Sequence, residues 1–296
     1  MIEKYYDIDP QHARQLIAQV KNAQWSKRGI DRHAYLLEDY AVLSTKRLLL
    51  RNVITRDDDL RFLDEIIQTL LDLHQQGVSV VPILGYCYDP NSTDRIGFMI
   101  QKRAKGLELY DDAALARFQT WAQSLGEDLY LRSNMRKDEE VAYLLSRTQV
   151  ISQVPQAHFH KFVSDILRIL QHDILIDAFG KSNFFYDSNE GFQFIDLDSH
   201  NDYKYGLTNQ KPNIEELASI CAFVPCHYAS DTSLFASNAL DDHALLALTD
   251  AQQQQLAEDN SVIFQKCIEA LKYNGISDAS LNNILSRLKA YGIKNK

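Results

Sequence analysis

The sequence changes character near residue 104, and this change limits the folds that the chain can adopt. Before that point short β-rich runs surround one long helical pattern, and after it helical patterns predominate. Strand-like runs separated by turn residues are typical of an antiparallel meander. The runs in the first part are 34–37, 40–43, 48–50, 78–81, 83–88 and 96–101. We therefore predict an α+β protein with two parts, a small β-rich lobe over residues 1–104 and a larger, mainly α-helical lobe over residues 105–296.

Two helices are expected within the β-rich lobe. Apolar positions from Pro10 to about Ala23 have helical spacing, and the segment 25–29 then ends the pattern with turn residues. The acids of 57–59 supply N-cap and first-turn residues for a second helix, which should run to Gln76 and stop at Gly77. The order in this lobe is therefore strands, helix, strands.

The helical part contains one strand-rich island, residues 174–199, which is typical of a hairpin with acids at its ends. Helical patterns cover much of 107–147 and recur later in the chain. His158 and His160, at the start of one of these helices, are interpreted as surface histidines. The later helices are predicted at 159–170, 214–223, 244–248, 251–271 and 279–291.

Charge and composition exclude several classes of function. The chain has 31 basic and 40 acidic residues, a net charge of −9, which disfavours nonspecific binding to nucleic acids or anionic membranes. Its beginning is too polar for a signal peptide, and no stretch approaches the roughly 18 apolar residues that span a bilayer. The four cysteines do not form a disulfide framework. We expect a cytoplasmic protein that binds neither nucleic acid nor membrane.

The densest group of polar residues lies in the strand-rich island. It places acids and an amide at the ends of the predicted hairpin strands, where their oxygen atoms could meet at one end. Oxygen ligands suit Mg²⁺. These residue types are also common in ordinary turns, which is the alternative interpretation. The group consists of Asp177, Lys181, Ser182, Asn183, Asp196 and Asp198.

The segment 176–186 (IDAFGKSNFFY), followed by 194–198 (FIDLD), resembles the catalytic loop and metal-binding strand of the protein kinase-like superfamily, near its bacterial aminoglycoside phosphotransferase branch. The resemblance implies a two-lobed kinase-like fold, with ATP and Mg²⁺ as cofactors. It also implies that Asp177 is the catalytic Asp and that Asn183 and Asp196 are metal ligands. Asp177 and Asn183 are six positions apart, where the family motif has five, and no His-Arg precedes Asp177. Asp173 is the alternative candidate for the catalytic Asp.

The same resemblance assigns residues in the first lobe. Backbone groups from Gln101 through Arg103 to Ala104 would contact adenine as the hinge. Lys46, or else Arg51, would grip the phosphates, although the stretch 40–46 has no lysine at the strict family position. Glu65 has a suitable spacing for the acid that pairs with this lysine, but its helical phase is polar. Asp64 and Asp59 border the apolar face more closely. A glycine-rich phosphate loop is missing, and Lys27 and Arg28 could assist in its place.

Three classes of function remain open at this point. The first is a phosphotransferase that moves the ATP γ-phosphate to a hydroxyl acceptor, on a protein in the preferred version and on a small molecule in the alternative. The second is a pseudokinase or nucleotide-binding interaction protein, which the missing glycine loop and displaced lysine favour. The third is a helical structural protein without a ligand. Nucleotide binding and turnover distinguish these classes.

Overall fold

The chain divides into two compact units, residues 1–104 and 105–296. The predicted elements at 48–50, 89–94, 107–147 and 244–248 lie outside the described residues. The computed structural model describes residues 2–21, 23, 27–28, 32–45, 56–88, 97–104, 149, 151–172, 174–176, 184–187, 189–195, 197–199, 213–223, 225 and 249–290.

The first unit contains a six-stranded antiparallel sheet. Its strands, in chain order, are β1 (Ile2–Tyr5), β2 (Lys27–Arg28), β3 (Arg32–Leu36), β4 (Tyr40–Thr45), β5 (Ile83–Tyr88) and β6 (Gly97–Lys102). Their order across the sheet is β1-β5-β6-β4-β3-β2. The meander β2-β3-β4 is therefore joined to the later pair β5-β6 through the β4–β6 ladder, in which Val42 lies opposite Ile100.

Two helices accompany this sheet, and local sequence explains where each begins or ends. Helix α1 (Pro10–Val20) starts after Asp9, whose side chain accepts a hydrogen bond of 2.8 Å from the His12 N–H. Helix α2 (Arg56–Gln75) ends ahead of Gly77, which has a φ of 80°. Glycine reaches this left-handed conformation without the steric cost that other residues meet. Both predicted helices are confirmed.

The helices lie on opposite faces of the sheet. The buried side of α1 packs in one cluster with Val42, Cys87 and Ile100. Successive side chains of a strand point to opposite faces, so Tyr86 projects to the other face, where its hydroxyl contacts Asp64 of α2. The residues that α2 buries include Leu63, Ile67, Leu70 and Leu71.

The second unit combines helices with two small antiparallel sheets. Strand β7 (Ile174–Leu175) pairs with β10 (Asp198–Ser199), and between them in sequence β8 (Phe184–Asp187) forms a hairpin with β9 (Gly191–Phe194). Helix α3 contacts α4 and α5 as well as β7 and β9. The helices that the structure describes in this unit are α3 (Gln156–Gln171), α4 (Ile214–Ala222), α5 (Asp250–Tyr273) and α6 (Asp278–Ala290).

The structure differs from the predicted elements in three segments of the first unit. Strand β1 was not predicted, and Lys27–Arg28, expected in a turn, forms the short strand β2. The predicted strand at 78–81 is reduced to a single bridge at Val80. Strand β1 depends on pairing with the distant strand β5, whereas β2 pairs with the neighbouring strand β3; short segments have little conformational preference of their own. Among the helices that the structure describes, none is both long and apolar enough to cross a membrane.

Candidate functional site

Two nested strand pairs surround the predicted catalytic residues in the sequence. Leu175 of β7 lies opposite Asp198 of β10, and Phe184 of β8 lies opposite Phe194 of β9. Asp177, Asn183 and Asp196 lie in the connections between these strands, outside the described residues. Asp173, Lys181 and Ser182 also lie outside them. The structure thus establishes the strands that lead into and out of the predicted loop.

A tight turn closes the hairpin. The Asp187 Oδ1 atom accepts hydrogen bonds from the N–H groups of Asn189 and Glu190, at 2.7 and 3.0 Å. Gly191 follows with a φ of 85°, a conformation that glycine adopts without strain. The Gln193 side chain donates a 2.6 Å hydrogen bond to Glu190. These bonds fix the register of β8 against β9.

The hairpin is seated on α3 through aromatic side chains. Phe194 is fully buried, and its ring stacks on Phe162 of α3 with centroids 5.3 Å apart. Phe192 packs edge-on against Phe159, also at 5.3 Å. Buried aromatic pairs of this kind combine a large apolar area with a defined geometry. The hairpin is therefore held against the helix by its apolar face.

A polar contact adds to this seat, and the sequence interpretation missed it. The His158 Nδ1 atom lies 3.0 Å from the hydroxyl of Tyr186, and His158 is half-buried, as is His160. Burial, and then the charge of Asp187, raises the pKa of the Tyr186 hydroxyl. His158 and His160 lie within α3, whose start at Gln156 is three residues before the predicted one. The surface assignment of these histidines is corrected: the hairpin covers His158, and the ring of His160 stacks on Tyr273 of α5 with centroids 3.9 Å apart.

The predicted hinge segment has most of its backbone donors already occupied. The Lys102 N–H donates to the Pro82 carbonyl at 3.3 Å, and the Arg103 N–H donates to Asp39 at 2.9 Å. The buried Gln101 side chain donates to the carbonyl of Val81 at 2.8 Å. Among the described residues, no acceptor takes the N–H of Ala104.

The resemblance also assigns residues of the first unit to phosphate binding, and the structure gives these assignments less support. Lys46 and Arg51 lie outside the described residues, with Lys46 directly after the last residue of β4. Glu65 lies on the exposed side of α2, with a side chain 67% exposed and 3.9 Å from Arg61. The acid of α2 that reaches the sheet is Asp64. The structure therefore does not bring Glu65 towards the sheet, because its helical phase is opposite to the apolar face.

The donor chemistry at the predicted metal site fits a hard cation. Asp196 and Asn183 offer carboxylate and amide oxygens, which Mg²⁺ accepts. Within the part of the chain that the structure describes, no group of three or more His, Cys, Asp or Glu residues could hold a metal ion. Any metal site built from the residues singled out here thus depends on the two connections next to the hairpin.

Comparison with solved structures finds matches at low sequence identity and low TM-score. The chain is similar to WaaP in complex with acyl carrier protein, with 12% identity and a TM-score of 0.39, over 99% of this chain and 100% of that one. It is similar to the bifunctional kinase-methyltransferase WbdD, with 11% identity and a TM-score of 0.34, over 90% of this chain and 51% of that one. A co-crystal structure of WbdD with the kinase inhibitor LY294002 gives 13% identity and a TM-score of 0.29, over 82% and 50% of the two chains.

The chain thus spans about half the length of WbdD. No protein-family profile and no curated protein sequence matches the chain. The function proposed below rests on this chain's own residues and strand pairing.

Proposed function

We propose that this protein is a kinase-like phosphotransferase of two lobes, residues 1–104 and 105–296, which uses ATP and Mg²⁺ and moves the γ-phosphate to a hydroxyl acceptor. The observation that carries the proposal is the nesting of the β8–β9 hairpin inside the β7–β10 pair. The β7–β8 connection holds Asp177 and Asn183, and the β9–β10 connection holds Asp196. The catalytic Asp, the metal-binding Asn and the metal-binding Asp follow one another in the same order in the family motif.

Chain connectivity supports the convergence of these three residues. Consecutive Cα atoms are about 3.8 Å apart, so a residue two positions from a paired strand residue stays within about 8 Å of it. Asp177 follows Leu175 by two positions, and Asp196 precedes the partner of Leu175, Asp198, by two. Asn183 directly precedes Phe184 in the hairpin. All three are therefore tied closely to strands that are themselves paired.

Each residue has a distinct role in the proposed reaction. Asp177 orients the acceptor hydroxyl and takes its proton as the oxygen attacks the γ-phosphate. Asn183 and Asp196 would hold Mg²⁺, which neutralises charge on the phosphate oxygens. Lys46 steadies the phosphates, and the N–H of Ala104 is the donor proposed for adenine. Positioning and charge stabilisation supply most of the rate in reactions of this type.

The proposal is tested by thermal unfolding of the full chain with ATP, with and without Mg²⁺. Ligand at about one hundred times its Kd stabilises the folded state by about 2.7 kcal/mol, which raises the melting temperature by several degrees. We expect this rise to need Mg²⁺ and to disappear in Asp196→Asn. Asp278→Asn, whose side chain is 83% exposed on α6, is the matched control and should keep the rise. No rise in wild type under either condition refutes nucleotide binding.

A second candidate is a pseudokinase, which binds nucleotide without transferring phosphate. One observation favours it: Leu43 of β4 stands where the strand motif V-A-I-K has its lysine. The two candidates differ in turnover. Phosphate release from MgATP that is lost in Asp177→Asn supports the enzyme, whereas binding with no release by wild type supports the pseudokinase. A protein substrate mixture and a panel of aminoglycosides then separate the two acceptor classes.

A further inference from the structure

The carboxylate of Asp64 accepts three hydrogen bonds, from Lys4 of β1, from Tyr6 directly after β1 and from Tyr86 of β5. One oxygen, Oδ1, accepts from the hydroxyls of Tyr6 and Tyr86, the latter at 3.0 Å. The other, Oδ2, accepts from the ammonium group of Lys4 in an ion pair. The Asp64 side chain is 26% exposed, and Tyr86 is almost fully buried. Both carboxylate oxygens are thus engaged at the contact between α2 and the sheet.

The donors Lys4 and Tyr6 come from the N-terminal segment, which lies at the edge of the sheet. Strand β1 pairs with β5 in a register that places Lys4 opposite Tyr86 and Tyr5 opposite Gly85. Side chains along a strand alternate between faces, so Lys4 and Tyr6 project towards α2, and Glu3 and Tyr5 towards α1. The Glu3 carboxylate accepts a hydrogen bond of 2.9 Å from Arg14 of α1. The segment therefore contacts a helix on each face of the sheet.

The contacts of α2 with the sheet depend on this arrangement. Among the described strands, α2 makes its most extensive contact with β5, the strand to which β1 is paired. Hydrogen bonds to a charged group contribute more than those between neutral groups, especially where water is partly excluded. Removal of Lys4 and Tyr6 would leave the Asp64 carboxylate partly buried with Tyr86 as its remaining described donor.

We propose that residues 2–6 form a strap that fastens α2 to the sheet through Asp64, so that β1 and α2 open together as one local unit. Release of β1 from β5 withdraws Lys4 and Tyr6 from Asp64 and so loosens α2, which keeps its buried apolar residues. This inference is independent of the proposed nucleotide chemistry, because it rests on contacts within the first unit. It describes a conformational switch built into the edge of the sheet.

Hydrogen–deuterium exchange of the full chain, without ligand, tests the strap. We expect Asp64→Asn to raise the exchange rates of amides in both β1 and α2 by roughly tenfold, as loss of a charge-assisted hydrogen bond shifts a local opening equilibrium. Exchange in β4 and β6 should stay at the wild-type rate. The matched control is Asp72→Asn, an exposed acid on the same helix whose carboxylate accepts from Gln68. It should leave β1 unchanged.

A milder variant keeps the test decisive if Asp64→Asn folds poorly. Tyr6→Phe removes one donor and retains the Lys4 ion pair, so it should accelerate exchange in β1 and α2 in the same direction but less strongly. Faster exchange in β1 alone, with α2 unchanged, overturns the proposal because the two elements then open separately. Equal acceleration in every strand of the unit also overturns it, since Asp64 would then contribute only to global stability.

Discussion

Replacement of Gly85 by alanine should damage the contact between β1 and β5. A Cβ atom at this position would lie 2.7 Å from Cδ1 of Tyr5 and 2.8 Å from the backbone carbonyl oxygen of Lys4. The Tyr5 ring can rotate, but the Lys4 carbonyl belongs to the strand that pairs with Gly85. The added methyl group therefore fits only if β1 moves away from β5.

The expected cost follows from this geometry. Insertion of a methyl group into a closely packed site costs about 1–3 kcal/mol in the free energy of unfolding. Displacement of β1 also withdraws Lys4 from Asp64, so the two positions should be energetically coupled. In the Gly85→Ala background, Asp64→Asn should cost less than in wild type, with a coupling energy of about 0.5–3 kcal/mol.

Urea denaturation of the two single variants and the double variant measures both quantities. Gly275→Ala in the second unit is the control: its Cβ would have no neighbour within 4 Å, and its strain comes only from a φ of 80°. The cost of this control should add to that of Asp64→Asn, because the sites share no contacts. A Gly85→Ala cost below about 0.5 kcal/mol, or full additivity with Asp64→Asn, would refute the reasoning.

Two further predictions concern the hairpin seat and the pH dependence of the strap. Phe194→Ala should lower the free energy of unfolding by about 3–5 kcal/mol in urea, because the fully buried ring leaves a cavity against Phe162; a loss below 1 kcal/mol would contradict this packing. Partial burial alone would raise the pKa of Asp64, but hydrogen bonds from Lys4, Tyr6 and Tyr86 outweigh it and hold this pKa below its ordinary value. The carboxylate's contribution is therefore complete above about pH 4 and is lost as the pH falls through the lowered pKa. The difference in unfolding free energy between wild type and Asp64→Asn should accordingly shrink between pH 5 and pH 2 in urea titrations; a difference that stays constant would contradict the pKa shift.

Local signals allowed several elements to be predicted from the sequence. Apolar spacing from Pro10 marks the start of α1 and Gly77 marks the stop of α2, because periodicity and backbone preference act within a few residues. The α+β class follows from the helical and strand-like periodicities along the sequence. The order of polar residues in 174–199 indicated a kinase-like loop, and the observed strands β7 to β10 lie around it. The roles of Asp177, Asn183 and Asp196 stay predictions.

Other features required contacts between distant parts of the chain. Strand β1 has only four residues, two of them charged, and its conformation depends on pairing with β5 about eighty positions later. Helical phase already placed Asp64 nearer the apolar face than Glu65, but only the packed helix supplies the partners of Asp64 on the sheet. His158 could be interpreted only after the hairpin was in place to supply Tyr186.

The sequence by itself determined the change from a β-rich to a mainly helical part near residue 104, the start of α1, the stop of α2 and the order of oxygen-bearing residues along 174–199. These properties depend on backbone preference and on periodicity within a single segment. Only the tertiary structure decided the order of the strands, the partners of Asp64 and the seat of the hairpin on α3. Those properties depend on which surfaces are buried together, and burial joins residues that the chain separates by tens of positions.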